Sequence, residues 1–313
     1  MRTHFSALMR FTETRVVLAL VALFAIVDVS LRLAESQLSG NLAHVAAIPQ
    51  IVADAGRPEH ESLLVLGNSL TNNGVAPQIV AEELPELAVA KVTPDATGLW
   101  DWQCLLEHQV VQRPEVQFDT VVIGFAWHLL SDQTRADASR LGALYCGFSD
   151  LASPKAIGLQ NHGDIGEFIA ARVLRTYAMR DTLRNRLFQI TVPNYIQFTQ
   201  SGNDRSGLAE KPPSKSAPNV KYTYRTFTGL VQRLRSEGTR VIAVAMPVQD
   251  GYQLDSQLQS LDDRGTLDVI DLRDVAGLQD LHFLDGIHLN STGQHILSRV
   301  LAEDLLDELS NAT

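Results

Sequence analysis

The chain has 313 residues, 45% hydrophobic and 20% charged, with 20 Gly and 12 Pro scattered without a period. That composition belongs to a folded globular chain and excludes fibrous and disordered classes. Its 26 basic and 36 acidic residues leave a net charge of −10, which gives no long-range attraction to phosphate backbones and argues against nucleic acid as a partner.

Arg2, Arg10 and Arg15 precede an apolar run at 16–27 that continues past Asp28 to Leu33. A spanning helix needs about 20 mostly apolar residues, and this run falls between that length and the shorter stretch of a cleaved signal peptide. Leu31, Arg32, Leu33 and Ala34 make a poor small-x-small cleavage site. Residues 1–33 therefore read as an N-terminal signal anchor, a transmembrane helix, with cleavage as the alternative. Basic residues ahead of the run keep that end in the cytoplasm and place the chain beyond the run outside, in a periplasm or at the cell surface. A buried core helix is disfavoured, because nothing polar alternates along the faces of the run.

Residues 34–60, with a Gly-Arg-Pro break at 56–58, read as a juxtamembrane helix and linker. The remainder, 61–313, is expected to form the functional domain. Short apolar runs at 63–67, 87–92, 120–125, 240–246 and 267–272 have the character of buried parallel strands. Helical stretches separate them, after Pro77 and at 100–111, 221–238 and 295–309. The alternation predicts an α/β fold, a parallel sheet of about five strands covered on both faces. Residues 131–219 break the rhythm and read as an insertion, with a helix over 164–188 and a Pro/Ser/Lys-rich end at 211–219. Ligands of open α/β sheets bind beyond the carboxyl ends of the strands, so an insertion after the third strand is placed to shape a cleft.

Two sequence elements carry chemistry. The first strand runs into Gly67, Asn68, Ser69 and Leu70, which puts a serine at the strand's carboxyl end, where free backbone N–H groups can face a developing oxyanion. A serine there also serves commonly as a turn or helix cap. Near the other end stand Asp285, Gly286, Ile287 and His288. An aspartate three residues before a histidine can bond Nδ1–H and leave Nε2 to take a serine proton. Cys104 and Cys146 form one bridge or none. No zinc spacing, phosphate loop or dinucleotide fingerprint occurs, so neither a metal nor a cofactor is expected.

On LVLGNSL, the strand ending in Gly124, RVIAVAMPV and DGIHLNSTGQHIL, the chain resembles the SGNH, or GDSL-like, hydrolases over roughly 62–309. The resemblance implies a flavodoxin-like three-layer sandwich. It also implies Ser69 as nucleophile, His288 as general base and then acid, and Asp285 as the residue that orients His288. The usual GDS triplet is GNS here, which retains the serine. By the same likeness the oxyanion hole uses the N–H groups of Ser69 and Gly98, but the family's asparagine after the third strand is replaced by Ala126, which has no side-chain donor. His128 and Asn72 are candidates to supply one, and with Trp127 they form the expected substrate-binding set. The chain looks like membrane-anchored relatives that transfer or remove O-acetyl groups on cell-surface polysaccharides.

The function expected is a serine esterase or O-acyltransferase acting on a small-molecule or carbohydrate acyl ester, tied to the membrane by its N-terminal helix. A catalytically silent carbohydrate-binding or assembly subunit of the same fold is the alternative, and Ala126 is its motive. A lipase or thioesterase is a lesser variant. Trp100, Trp102 and Trp127 are read as sugar-stacking or packing residues. His282 is a rival base without an Asp-x-x partner, His108 and His162 are surface residues, Asn72 and Asn73 also suit a turn, and the acidic residues 303, 304, 307 and 308 form a solvated helix face.

Overall fold

The computed structural model describes residues 12–57, 61–192 and 221–310. Arg2 and Arg10 of the basic flank, and the Pro/Ser/Lys-rich end of the expected insertion, lie outside them. Helix α1, Thr12–Ala34, carries the apolar run and is, among the described residues, the one helix long and apolar enough to cross a membrane. Its 23 residues reach roughly 34 Å at the α-helical rise, against a hydrocarbon core of about 30 Å.

Helix α2, Gly40–Ala55, starts at Ser39, whose hydroxyl accepts the Leu42 N–H. It lies within the juxtamembrane helix and linker expected over 34–60 and packs on the body. Ile48 and Val52, one turn apart, are buried in the main core, and His44 Nε2 accepts the Thr93 N–H at 3.0 Å. The packed body thus begins near residue 40, because one face of this helix is apolar enough to be worth burying.

Strands β1 (Ser62–Leu66), β2 (Ala88–Val92), β3 (Thr120–Phe125), β4 (Arg240–Ala245) and β5 (Asp268–Asp271) form one parallel sheet in the order β2-β1-β3-β4-β5. That is the flavodoxin-like order, with its switch point between β1 and β3. Leu64 stands opposite both Ala90 and Val121, which fixes the register at the centre.

Among the described residues, the remaining α-helices of four residues or more are α3 (Ser69–Gly74), α4 (Pro77–Glu83), α5 (Leu99–Leu106), α6 (His162–Val173), α7 (Arg175–Ala178), α8 (Arg180–Thr191), α9 (Arg225–Ser236), α10 (Ser256–Asp263) and α11 (Ser291–Ser310). Alternate strand residues serve opposite layers. Leu64, Leu66, Val121, Ile123 and Val241 pack with α2, α5 and α9, whereas Leu63, Val65, Val122 and Ile242 pack with α4 and α11. Both faces are covered, so the strands read as continuous apolar runs.

Over 164–188 the structure has three helices where one continuous helix is expected. The break falls at Leu174, in extended geometry, and Thr176 turns its N–H and hydroxyl to Asp28 Oδ1 of α1 at 2.8 and 3.0 Å. A distant carboxylate has outcompeted helix continuation. Cys104 of α5 and Cys146 are disulfide-bonded, which settles the open alternative and ties α5 to the segment after β3.

Two glycines let α3 close onto the strand ends. A Cβ on Gly67 would lie 2.0 Å from Thr71 Oγ1, and one on Gly124 would lie 2.2 Å from the same atom. Thr71 is fully buried between them, its hydroxyl donating to Gly124 O at 3.3 Å. Gly124→Ala is expected to cost about 1–3 kcal/mol through overpacking. Urea denaturation checks it, and the cost should shrink in a Thr71→Ala background, since both nearest atoms belong to Thr71.

Candidate active site

Ser69 is the first residue of α3, immediately beyond β1 at the switch point of the sheet. Asn68 caps the helix: its Oδ1 accepts the Leu70 N–H at 3.0 Å while Nδ2 donates to Thr97 O at 3.1 Å. Asn68 therefore ties the turn that carries Ser69 to the loop after β2. As the opening residue of a helix, Ser69 has no intrahelical acceptor for its own N–H.

His288 reaches the same point from the loop ahead of α11. Its Nε2 lies 2.9 Å from Ser69 Oγ, and its Nδ1 lies 2.7 Å from Asp285 Oδ2. Asp285 Oδ1 also accepts the backbone N–H groups of His288 at 2.9 Å and Ile287 at 3.2 Å, so one carboxylate shapes the loop and orients the ring. With the Nδ1 proton held by Asp285, Nε2 is the acceptor for the serine hydroxyl. Partial burial pushes the Asp285 carboxyl up, but the hydrogen bonds from the His288 ring and backbone outweigh it and leave the group below its usual range. Asn290 fixes the loop's exit, donating to Leu281 O and accepting the Thr292 and Gly293 N–H groups. His282 is buried with Nδ1 accepting the Gln279 N–H, which makes it a structural residue.

The surroundings of the serine differ from the expectation. The Gly98 N–H, expected in the oxyanion hole, donates to Asp101 Oδ2 at 3.1 Å. Ala126 is fully buried in an apolar cluster with Leu70 and Val248, packed by Trp127, Tyr252 and Ile287, so the place of the missing asparagine is filled by hydrocarbon. Two residues of the expected substrate-binding set stand elsewhere. The Asn72 side chain accepts from Thr93 Oγ1 at 3.2 Å, and the His128 ring stacks on Tyr222 at 4.9 Å; neither lines the cleft. Alternation around a helix explains the first, because Asn73 follows Ser69 by one turn and lines the cleft in its place. Trp127 does line the cleft, with a left-handed backbone (φ 51°) that a bulky residue rarely adopts, its ring tilted against Tyr252.

The cleft has a volume near 1400 Å³ and runs from Ser69 and His288 along the segment after β3 to the turn between α7 and α8. Trp100 lines it, with Nε1 donating to Thr134 O, whereas Trp102 is core, donating to Gly67 O. Midway, Arg140 makes a bidentate pair with buried Asp101 at 2.9 and 2.8 Å. Burial alone depresses the guanidinium, and the adjacent Asp101 outweighs it, raising Arg140 above its usual range. The sequence reading missed this pair. Asp101 stands three residues after Gly98, which is a capping signal, but nothing local joins it to a residue 39 positions on.

No family model matches the chain, and no curated protein matches it. Among solved structures, a Bacteroides fragilis protein provisionally assigned as an acylhydrolase is similar to it. The two share 11% identity over 84% of this chain and 96% of that one, at a TM-score of 0.42. The strand order and site geometry stand independently of that likeness. Asp101→Ala leaves a largely buried guanidinium with only its longer contact to half-exposed Asp137 and frees the Gly98 N–H. Removing one partner of such a pair is expected to lower stability by about 3 kcal/mol in chemical denaturation.

Proposed function

We propose that the chain is a serine-dependent esterase or O-acyltransferase of SGNH type, working through an acyl-enzyme on Ser69 and acting on O-acetyl groups of carbohydrate outside the cytoplasm. The observation that carries the reading is the continuous relay Asp285–His288–Ser69, with both contacts at hydrogen-bond distance. A hydroxyl, an imidazole and a carboxylate in that order are what nucleophilic acyl transfer requires.

In this reading Ser69 Oγ attacks the acyl carbonyl as its proton passes to His288 Nε2. The tetrahedral oxyanion collapses, the C–O bond to the leaving alcohol breaks, and His288 returns the proton to that oxygen. Water or a sugar hydroxyl then gives its proton to His288 and attacks the acyl-enzyme, and Ser69 Oγ leaves with the proton regained. The Ser69 N–H is the available oxyanion donor. Gly98 contributes only by sharing its N–H with Asp101. Removal of one such donor costs about 10²–10³ in kcat in a comparable site, which favours a slow enzyme.

The carbohydrate assignment is supported by the length of the cleft and by Trp127 and Trp100 in its wall, since flat aromatic faces suit sugar rings. The extracytoplasmic assignment is supported by the apolar α1 and by the Cys104–Cys146 bond, which persists in oxidising compartments. The second reading, a silent binding subunit, is favoured by the hydrocarbon around Ala126 and the engaged Gly98 N–H.

Turnover of an activated acetyl ester should vanish in Ser69→Ala; equal rates in the two proteins would sink the enzymatic reading. A fluorophosphonate should label Ser69, and sugar binding without labelling selects the silent subunit instead. Asp285→Asn should fold normally yet lower kcat by about 10²–10⁴, because the imidazole loses its oriented tautomer.

A further inference from the structure

The apolar residues that α1 leaves exposed do not stop at its end. Leu33, in its last turn, is 80% exposed, and the helices fastened to it expose further large apolar residues, Ile169 and Val173 on α6 and Leu187 and Ile190 on α8, the last 82% exposed. Polar contacts fasten these elements together. Asp28 accepts from Thr176, Arg32 donates to Val173 O, Arg175 pairs with Glu35, and Arg186 donates to Leu38 O at 2.8 Å. The elements that carry these exposed apolar residues are therefore held against the end of α1.

A carboxylate is expensive in hydrocarbon, and Asp28 is satisfied by Thr176 and Arg32, so this end of α1 belongs in the interfacial zone with α7 rather than in the hydrocarbon core. Residues of α7 then lie at the boundary, with α6 and α8 alongside. Charge agrees in sign: over residues 162–192 five arginines stand against Asp164, Glu167 and Asp181, a locally basic stretch within a chain of net charge −10, which suits anionic headgroups even though Arg175, Arg180 and Arg184 are ion-paired. The same elements form one end of the cleft, which is lined by Ser39 and Leu42, just past the anchor, and by Met179 and Thr182 at the α7–α8 turn.

We propose that the face formed by the end of α1 with α6 and α8 rests on the lipid bilayer, so that the mouth of the Ser69 cleft opens beside the headgroups and receives its substrate at the membrane surface. This rests on the reading of α1 as a retained anchor. It adds a second, peripheral contact that holds the cleft in one orientation.

The test uses the full chain in phosphatidylethanolamine/phosphatidylglycerol vesicles. Leu187→Cys and Ile190→Cys carry an environment-sensitive fluorophore, and Gln259→Cys on α10, which flanks the β5 edge, is the control. The native cysteines are bonded to each other and take no label. Side chains seated about 5–10 Å into the interface should lose emission about twofold when the lipid tails are brominated, while the control is unmoved. Unquenched labels at 187 and 190 in an intact chain overturn the surface and leave the anchor standing. A mature chain that begins after residue 34 overturns both. Ser69→Ala protein should give the same quenching, so a missing esterase activity cannot be mistaken for a missing membrane contact.

Discussion

A hydrogen bond between residues 219 positions apart, Ser69 Oγ and His288 Nε2, is the contact on which the functional reading depends. Neither partner is long or flexible enough to find the other from a loose scaffold. The serine is fixed by the close approach of Thr71 to Gly67 and Gly124 and by the Asn68 cap, and the histidine by the two oxygens of Asp285 and the Asn290 turn. Each half is set by short-range contacts in its own loop. The parallel sheet then brings the halves together, because β1 lies at the switch point and α11 packs over the face beside it.

The relay and the oxyanion environment pull in different directions. In the proposed reading proton transfer is equipped by the Asp285–His288–Ser69 contacts, while stabilisation of an oxyanion is weaker, since Ala126 sits in a hydrocarbon pocket and the Gly98 N–H is aimed at Asp101. Asp101 is itself held by Arg140, so this arrangement is part of the cleft wall rather than an accident of one turn. If the proposed function holds, such a site favours a positioned hydroxyl over water, since an acceptor bound in the cleft brings proximity that free water lacks.

The segment after β3 gives the cleft its length, and its contacts explain why it is ordered. The Cys104–Cys146 bond holds it to α5, Arg140 holds it to Asp101, and Thr223 and Asp132 close its base. Farther along, α7 is fastened to α1 through Asp28. The cleft wall and the end of α1 are thus fastened to one another.

Most of the architecture could be read from sequence because it rests on periodicity. The five apolar runs appear as strands within a residue of their expected places, since burial on both faces leaves strands no polar alternation, and the helices between them follow with ends shifted by up to four residues, as in α9 and α11. Ser69, Asp285 and His288 were legible too, as the motif residues are local and chemically specific. What the sequence could not supply depends on partners distant along the chain. Asn72 and Asn73 are adjacent identical residues, and only the helical rotation of α3 decides that Asn73 faces the cleft. The break at Leu174, the Asp101–Arg140 pair, the burial of α2 and the diversion of the Gly98 N–H each come from a competing partner that no local window contains. Local propensity and pattern are properties of a segment, whereas the pairing of buried polar groups is decided only when the whole chain has packed and each must find its partner.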